Sequence, residues 1–296
     1  QVFGIASSIT VSNAGGPGRM DIRSVCPYAF QACLWTDAMF PLRDDNPHFL
    51  TPWVTYGIIG LNVFAWVFLQ GMGAEPALSR SVCNLGLMPA DLLGTLPAGT
   101  EFQVGPQTWC VLTDAPAIHT LFTSMFMHGS WMHIIGNMWF MWVFGNNIED
   151  SMGHTRFACF YLICGLAAAL GQTLSNPDSG IPMVGASGAI GGVMGAYIVL
   201  YPKVHVHMLI FLGFFITVIA VPAVLMLGYW LLLQFIGGFG SIGAEGGGTA
   251  FWAHIGGFAA GAGLITFFKV PELVNRHPYH GLRQPASPNR NWQRIR

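Results

Sequence analysis

Apolar residues run along this chain in long blocks, and the polar residues between the blocks mark where helices must end. A helix needs about 20 apolar residues to cross a bilayer. Residues 53–71 form the first block, bounded by Pro52 and Glu75. A long loop follows, reaching residue 130 and carrying Glu75, Arg80, Asp91, Glu101 and Asp114. Further blocks occupy 131–148, ended by Glu149-Asp150, and 156–174, ended by Asn176-Pro177-Asp178. Two more occupy 187–202, ended by Pro202-Lys203, and 250–268, ended by Lys269-Val270-Pro271. Residues 204–244 carry no charge for 41 positions, too long for one upright helix and short for two. Pro222 divides that stretch without a polar turn around it. The pattern predicts a fifth span over 222–238, with 204–221 lying at the interface or as a kinked extension. Seven spans is the competing reading.

Charged residues make up 8% of the chain, against roughly 25% in a soluble domain. Such a chain cannot cover a water-facing surface. The expected class is an all-α polytopic membrane protein: a six-helix bundle with a long outer loop between helices 1 and 2. The net charge of -1 argues against nucleic acid as a partner. With six spans, eleven of the twelve Lys and Arg residues fall on one side, and only Arg80 on the other. Positive residues collect on the cytoplasmic side, so both termini are expected there, in a bacterial inner (plasma) membrane. Residues 1–38 lack the regions of a signal peptide and read as a poorly ordered extension ahead of Met39-Phe40-Pro41. The transmembrane domain is expected over 39–269, followed by a basic cytoplasmic tail over 270–296. Cys83 and Cys110 share the outer loop; they pair if it faces an oxidising compartment and otherwise stay thiols. Cys159 and Cys164 read as buried thiols.

Polar groups at membrane depth are costly and usually serve a function. Ser187 lies in Gly185-Ala186-Ser187-Gly188, where a loop becomes the fourth span. A serine hydroxyl is a weak nucleophile and needs a base to take its proton. The flanking glycines let backbone and substrate approach closely. A helix N-terminus also offers free N–H groups to a developing oxyanion. Taken alone, this motif equally suits a small residue packed between helices. His254 sits about four residues into the sixth span, in Ala253-His254-Ile255-Gly256-Gly257. The fourth and sixth spans both run inward from the outer face, so Ser187 and His254 can share a depth. Gly188 with Gly192, Gly191 with Gly195, and Gly257 with Gly261 make small faces that let two helices approach. Alone, His254 also fits a buried histidine bonded to a backbone carbonyl. His133 and Asn137 are spaced i, i+4 on one helix face. They can donate to an oxyanion with the Ser187 N–H, or act as polar glue between helices. His128 is assigned a structural hydrogen bond.

Three segments together carry a resemblance: His128-Gly129-Ser130-Trp131-Met132-His133-Ile134-Ile135-Gly136-Asn137, then Gly185-Ala186-Ser187-Gly188, then Ala253-His254-Ile255-Gly256-Gly257. They resemble, in order, the motifs of the rhomboid family of intramembrane serine proteases, over roughly 39–269. The resemblance implies a Ser187/His254 dyad without a third acid, with Ser187 as nucleophile and His254 as base and then acid. His133, Asn137 and the Ser187 N–H would form the oxyanion hole, supported by His128, Gly185, Gly188 and Gly257. It implies transmembrane proteins as substrates and calls for no cofactor or metal. Glu149-Asp150 resembles the family's acidic end of the second helix and reads as a cytoplasmic anchor, paired with Arg156. One departure stands out. Many members carry a Trp-Arg pair in the outer loop, where this chain has Ile118-His119-Thr120-Leu121-Phe122-Thr123. That puts the stability and gating of the loop in question. Trp230 and Phe235 on the fifth span are candidates for a lateral gate.

No H-E-x-x-H segment occurs, which argues against a zinc protease; His205 and His207 make only a weak metal site. A catalytically silent rhomboid-like protein that binds membrane clients would share the fold. A transporter with intramembrane histidines would show inverted repeats, and the chain has no convincing one. A proton-accepting His254 must be neutral, so activity is expected to fall in acid.

Overall fold

A computed structural model describes residues 39–105, 108–212, 215–241 and 249–278. The expectations for the extension 1–38 and for the tail beyond 278 fall outside these residues. Helix α1 (Trp53–Leu69) ends in a widened π turn over Ala65–Leu69. The outer loop holds helix α2 (Ala77–Leu85) and a hairpin of strands β2 (Glu101–Gly105) and β3 (Thr108–Val111). Then come α3 (Trp131–Met152), α4 (His154–Ser175) and α5 (Ser187–Leu200). Helices α6 (Ala223–Gly240) and α7 (Phe251–Phe268) complete the body. Of these, α4, α6 and α7 are long and apolar enough to cross a membrane, while α1 and α5 are apolar but shorter.

The helices sit close to their expected places, with two corrections at the ends. No eight-residue turn separates the second and third blocks. Glu149 and Asp150 stay inside α3, and Gly153 alone (φ 79°) joins it to α4. Positive φ strains any residue with a β-carbon, which is why glycine makes this reversal. The pairing of Glu149 with Arg156 is also wrong. Glu149 is fully buried and accepts hydrogen bonds from Val54 N (2.9 Å), Thr55 N (2.8 Å) and Thr55 Oγ1 (2.7 Å). The two backbone N–H groups are orphan donors of the first turn of α1, so the carboxylate caps that helix from a distance. Arg156 instead donates to the Phe268 carbonyl at 3.2 Å. Asp150 takes Phe49 N and Leu50 N at 2.7 and 2.8 Å, with His277 Nε2 at 3.0 Å.

The all-α expectation fails at 204–221. The described residues there form no interfacial or kinked helix. They build strands β4 (His205–Leu212) and β5 (Phe215–Pro222) of an antiparallel hairpin. Strand β1 (Met39–Asp44) adds to it, giving the order β1-β4-β5. Val206, Ile210, Ile216, Thr217, Val218, Ile219 and Val221 are β-branched, which favours a pleated strand over a helix. Strand β1 stands beside α3. Asp44 accepts from Asn147 Nδ2 at 2.8 Å, and Trp139 Nε1 donates to the Pro41 carbonyl at 2.5 Å. Eight residues of helix separate those contacts on α3, about 12 Å at 1.5 Å per residue. At the base of the sheet His207 Nε2 lies 2.8 Å from Asp45 Oδ1.

The core lies where α3, α4, α5 and α7 meet, around Phe144, Phe157, Phe160, Tyr161 and Tyr197. Helices α5 and α7 cross with their backbones in contact. A β-carbon on Gly257 would collide with the Gly188 carbonyl oxygen, and one on Gly261 with that of Gly192. Gly195 faces the Phe258 carbonyl in the same way.

The outer loop lacks the Trp-Arg pair and is held by other means. A disulfide joins Cys83 of α2 to Cys110 of β3; of the two thiols expected to be buried, Cys164 is, but Cys159 lies exposed on α4. Asp91 accepts from Thr113 N at 2.6 Å, and Thr123 Oγ1 donates to the Leu85 carbonyl at 2.8 Å. Leu87 and Met183 exchange two backbone hydrogen bonds, tying the loop to the segment that leads into α5.

Two expectations follow. Gly261→Val should lower stability by about 1–3 kcal/mol through overpacking, read as a lower midpoint of thermal unfolding in detergent. Gly263→Ala, with nothing within 4 Å of an added β-carbon, should leave the midpoint unchanged or slightly raised. The second concerns pH. Burial pushes the Asp44 carboxyl up from 3.8 to about 7, against the opposing hydrogen bond from the Tyr197 hydroxyl. A folded-state pKa above the unfolded value stabilises the fold below about pH 4, and that contribution is lost as pH rises through about 7. Asp44→Asn should therefore gain in unfolding midpoint over the wild type between pH 5 and pH 8. Parallel midpoint curves for the two proteins would contradict this.

Candidate active site

Ser187 opens α5. The strand-like segment before it is fixed on both sides, by Leu87 at Met183 and by Gly185 N donating to the Ser124 carbonyl at 2.9 Å. His254 is the fourth residue of α7. The glycine contacts between α5 and α7 set how far each helix slides along the other. In that register His254 Nε2 lies 2.8 Å from Ser187 Oγ. The remaining ring nitrogen of His254, Nδ1, lies 2.7 Å from Gln234 Oε1 on α6. Trp230, one turn earlier on α6, lays its ring against the imidazole at 5.6 Å. Gln234 was not among the sequence candidates. The rule that singled out His133 and Asn137 applies to it equally, since it is the one carboxamide in the apolar helix α6.

Gly185 takes φ 126°. A β-carbon there would lie 2.7 Å from His133 Nε2 and 3.5 Å from Asn137 Nδ2. Both side chains of α3 therefore aim at the turn before Ser187. Asn137 is buried, and its Nδ2 has no acceptor among the described residues. His133 Nδ1 accepts from Gly129 N at 3.4 Å, which leaves the proton on Nε2, the nitrogen facing Gly185. Ser130 caps α3 by accepting from His133 N at 3.2 Å. The arrangement thus presents two donors beside a hydroxyl already bonded to an imidazole.

His128 is fastened chiefly through its backbone, with the Phe126 main chain beside its ring. Gln70, just beyond α1, accepts from His128 N at 2.8 Å and donates to its carbonyl at 2.7 Å. The ring is fully buried and meets that of His133 edge-on at 5.0 Å. Burial first, and then the nearby His133, push the His128 imidazole down to about 3, so it is a neutral packing group at physiological pH. Gly188 and Gly257 take part through the α5–α7 backbone contact and do not touch the cavity.

A cavity of about 550 Å³ opens over these groups, lined by Ser187, His254, His133, Asn137, Phe140 and Trp230 among others. A second, apolar cavity of about 410 Å³ lies between α3, α6 and the sheet, and it shares Phe140 and Trp230 with the first. Trp230 thus stands at the junction of the two. Phe235 lines neither cavity and stacks on Phe239.

The Rhomboid domain family model matches residues 115–270, the stretch that contains α3 to α7 and with them Ser187, His254, Gln234, His133 and Asn137. The chain belongs to the rhomboid family. It is 33% identical over 102 residues to rhomboid-like protein 11, chloroplastic, of Arabidopsis thaliana, covering 34% of this chain and 36% of that one. It is 32% identical over 175 residues to RHOMBOID-like protein 5 of the same plant, covering 53% and 55%. It is 30% identical over 169 residues to the rhomboid protease GluP of Bacillus subtilis (strain 168), covering 56% of this chain and 32% of that protein. The chain therefore spans between about a third and about half of these relatives' lengths. Rhomboid membership and the apolar helices together make it a multi-pass membrane protein.

Gly185→Ala should shift the His133 ring and cost about 1–3 kcal/mol, because it adds both a clash and a disfavoured φ. Thermal unfolding should show this loss, whereas Gly129→Ala, in open space, should unfold like the wild type.

Proposed function

We propose that this rhomboid is an active intramembrane serine endopeptidase that hydrolyses peptide bonds in or near the transmembrane segments of other membrane proteins. The observation that carries the reading is the 2.8 Å contact between Ser187 Oγ and His254 Nε2 inside a cavity that also holds His133 and Asn137. Ser187 Oγ attacks the substrate carbonyl while His254 Nε2 takes its proton. The new oxyanion is met by His133 Nε2–H, Asn137 Nδ2 and the Ser187 N–H. The tetrahedral centre collapses, and the amine leaves with the proton from His254. Water, losing a proton to His254, then opens the acyl ester, and Ser187 regains its hydrogen.

The membrane arrangement that fits this chemistry has six spans, α1 and α3 to α7, with both termini cytoplasmic and the disulfide-bearing loop outside. Helix α5 has 14 residues, about 21 Å at 1.5 Å per residue, against about 30 Å of hydrocarbon. Ser187 then starts below the outer surface, where the cavity brings it water. The partners on this reading are transmembrane proteins and the surrounding bilayer. A substrate helix unwinds locally to present its peptide bond, with its apolar part in the cavity between α3, α6 and the sheet.

The test is cleavage of a model single-span substrate in proteoliposomes by wild type, Ser187→Ala and Asn137→Ala, with fluorophosphonate labelling alongside. Wild type should cleave and label, and Ser187→Ala should do neither. Asn137→Ala should lose roughly 10²- to 10³-fold in kcat, as expected for one oxyanion donor. The rate should fall in acid, where His254 carries a proton and cannot accept another. Equal behaviour of wild type and Ser187→Ala would leave only a client-binding protein.

A further inference from the structure

The resemblance implies a dyad with no third member, yet the far side of the His254 ring is not free. We propose that Gln234 is a positioning residue for His254, holding the imidazole in the one tautomer and orientation that can accept the Ser187 proton. The inference rests on the reading of Ser187 and His254 as nucleophile and base.

The argument begins with the carboxamide. Its two ends differ: one only donates and the other only accepts. Gln234 Nε2 lies 3.2 Å from the Trp230 carbonyl, an acceptor, one turn earlier on the same helix. That contact fixes which end is which, and leaves Oε1 as the atom 2.7 Å from His254 Nδ1. An oxygen with no hydrogen requires the proton to sit on Nδ1. In a neutral imidazole Nε2 is then bare, and it is Nε2 that faces Ser187 Oγ at 2.8 Å. The chain of donors thus runs one way, from the Ser187 hydroxyl through His254 to Gln234. Gln234 and His254 are both buried, so an unmet N–H here would be costly. Among the described residues that line the cavity none is a carboxylate. A neutral amide does the orienting that an acid does in a triad, without placing a charge beside the base.

Position matters as much as polarity. The Trp230 ring covers one side of the imidazole from the same helix, so α6 supplies both the face that packs the ring and the acceptor that sets its rotation.

The test uses the full-length protein in detergent micelles or proteoliposomes. Nitrogen-15 NMR of histidine-labelled protein reports the tautomer directly, with the His254 signal assigned through His254→Ala. The resting wild type should carry its proton on Nδ1. A proton on Nε2 would overturn the proposal, whatever the enzyme assay shows. Gln234→Met keeps the length and apolar bulk but loses the acceptor. It should lower kcat about 10- to 100-fold, part of the 10²- to 10⁴-fold that a positioned base supplies, with KM changed less than about twofold. Gln234→Glu keeps an acceptor oxygen and should recover most of that loss. An unchanged kcat in Gln234→Met, or a Gln234→Glu variant as slow as Gln234→Met, would sink the assignment. If wild type and Ser187→Ala behave alike, the protease reading has failed, and the NMR result still decides the Gln234 contact on its own.

Discussion

Gly257 has no room for a β-carbon because the Gly188 carbonyl oxygen already occupies that place, and Gly261 stands in the same relation to Gly192. In lipid, helices gain little from hiding apolar surface, because the solvent is apolar too. Close backbone packing takes over that role, and it works only where side chains are absent. Here the contact also fixes register. Ser187 is adjacent to Gly188, and His254 is one turn from Gly257 on the facing helix. A slip of one residue along either axis would move the hydroxyl about 1.5 Å from its partner, enough to break a hydrogen bond of 2.8 Å.

A second set of constraints acts at the opposite end of the molecule. Glu149 and Asp150 lie at the end of α3, and both are buried. Neither faces a free cation. Each is met by backbone N–H groups from the segment that enters α1, with His154 on Glu149 at 2.6 Å and His277 beside Asp150. Backbone N–H groups and one histidine apiece satisfy these carboxylates, which explains why the expected Arg156 partner is not needed. Together with the one-residue turn at Gly153, they fasten α1, α3 and α4 into one body. His133 and Asn137 ride on that body, while Ser187 and His254 belong to the closely packed glycine pair α5 and α7.

Much of this was legible in the sequence, and for physical reasons. Apolar blocks locate membrane helices because the bilayer tolerates little else, and the polar residues inside them stand out against that background. Ser187, His254, His133 and Asn137 were visible on that ground, and the structure brings all four to one cavity. Gln234 was equally visible and was passed over, because a glutamine has no chemistry of its own to draw attention. The sheet was missed for a different reason. Apolar strands and apolar helices look alike when both faces are apolar, so periodicity says nothing across 204–221. The β-branched residues there were the usable signal. The Gln70 clamp on His128 could not have been read at all, since it joins a side chain to backbone atoms 58 positions away.

The placement of Gln234 has one more consequence. Helix α6 is the least tightly held of the long helices around the cavity, with Leu225, Leu232, Ile236 and Phe239 turned outward. It borders the apolar cavity, and any widening of the gap between it and α3 must swing it away from the bundle. That swing carries the glutamine off the histidine ring. On the protease reading proposed above, entry and reactivity would be interlocked: with the doorway ajar the imidazole would be free to turn, and it would be held on the serine again only once the doorway had shut.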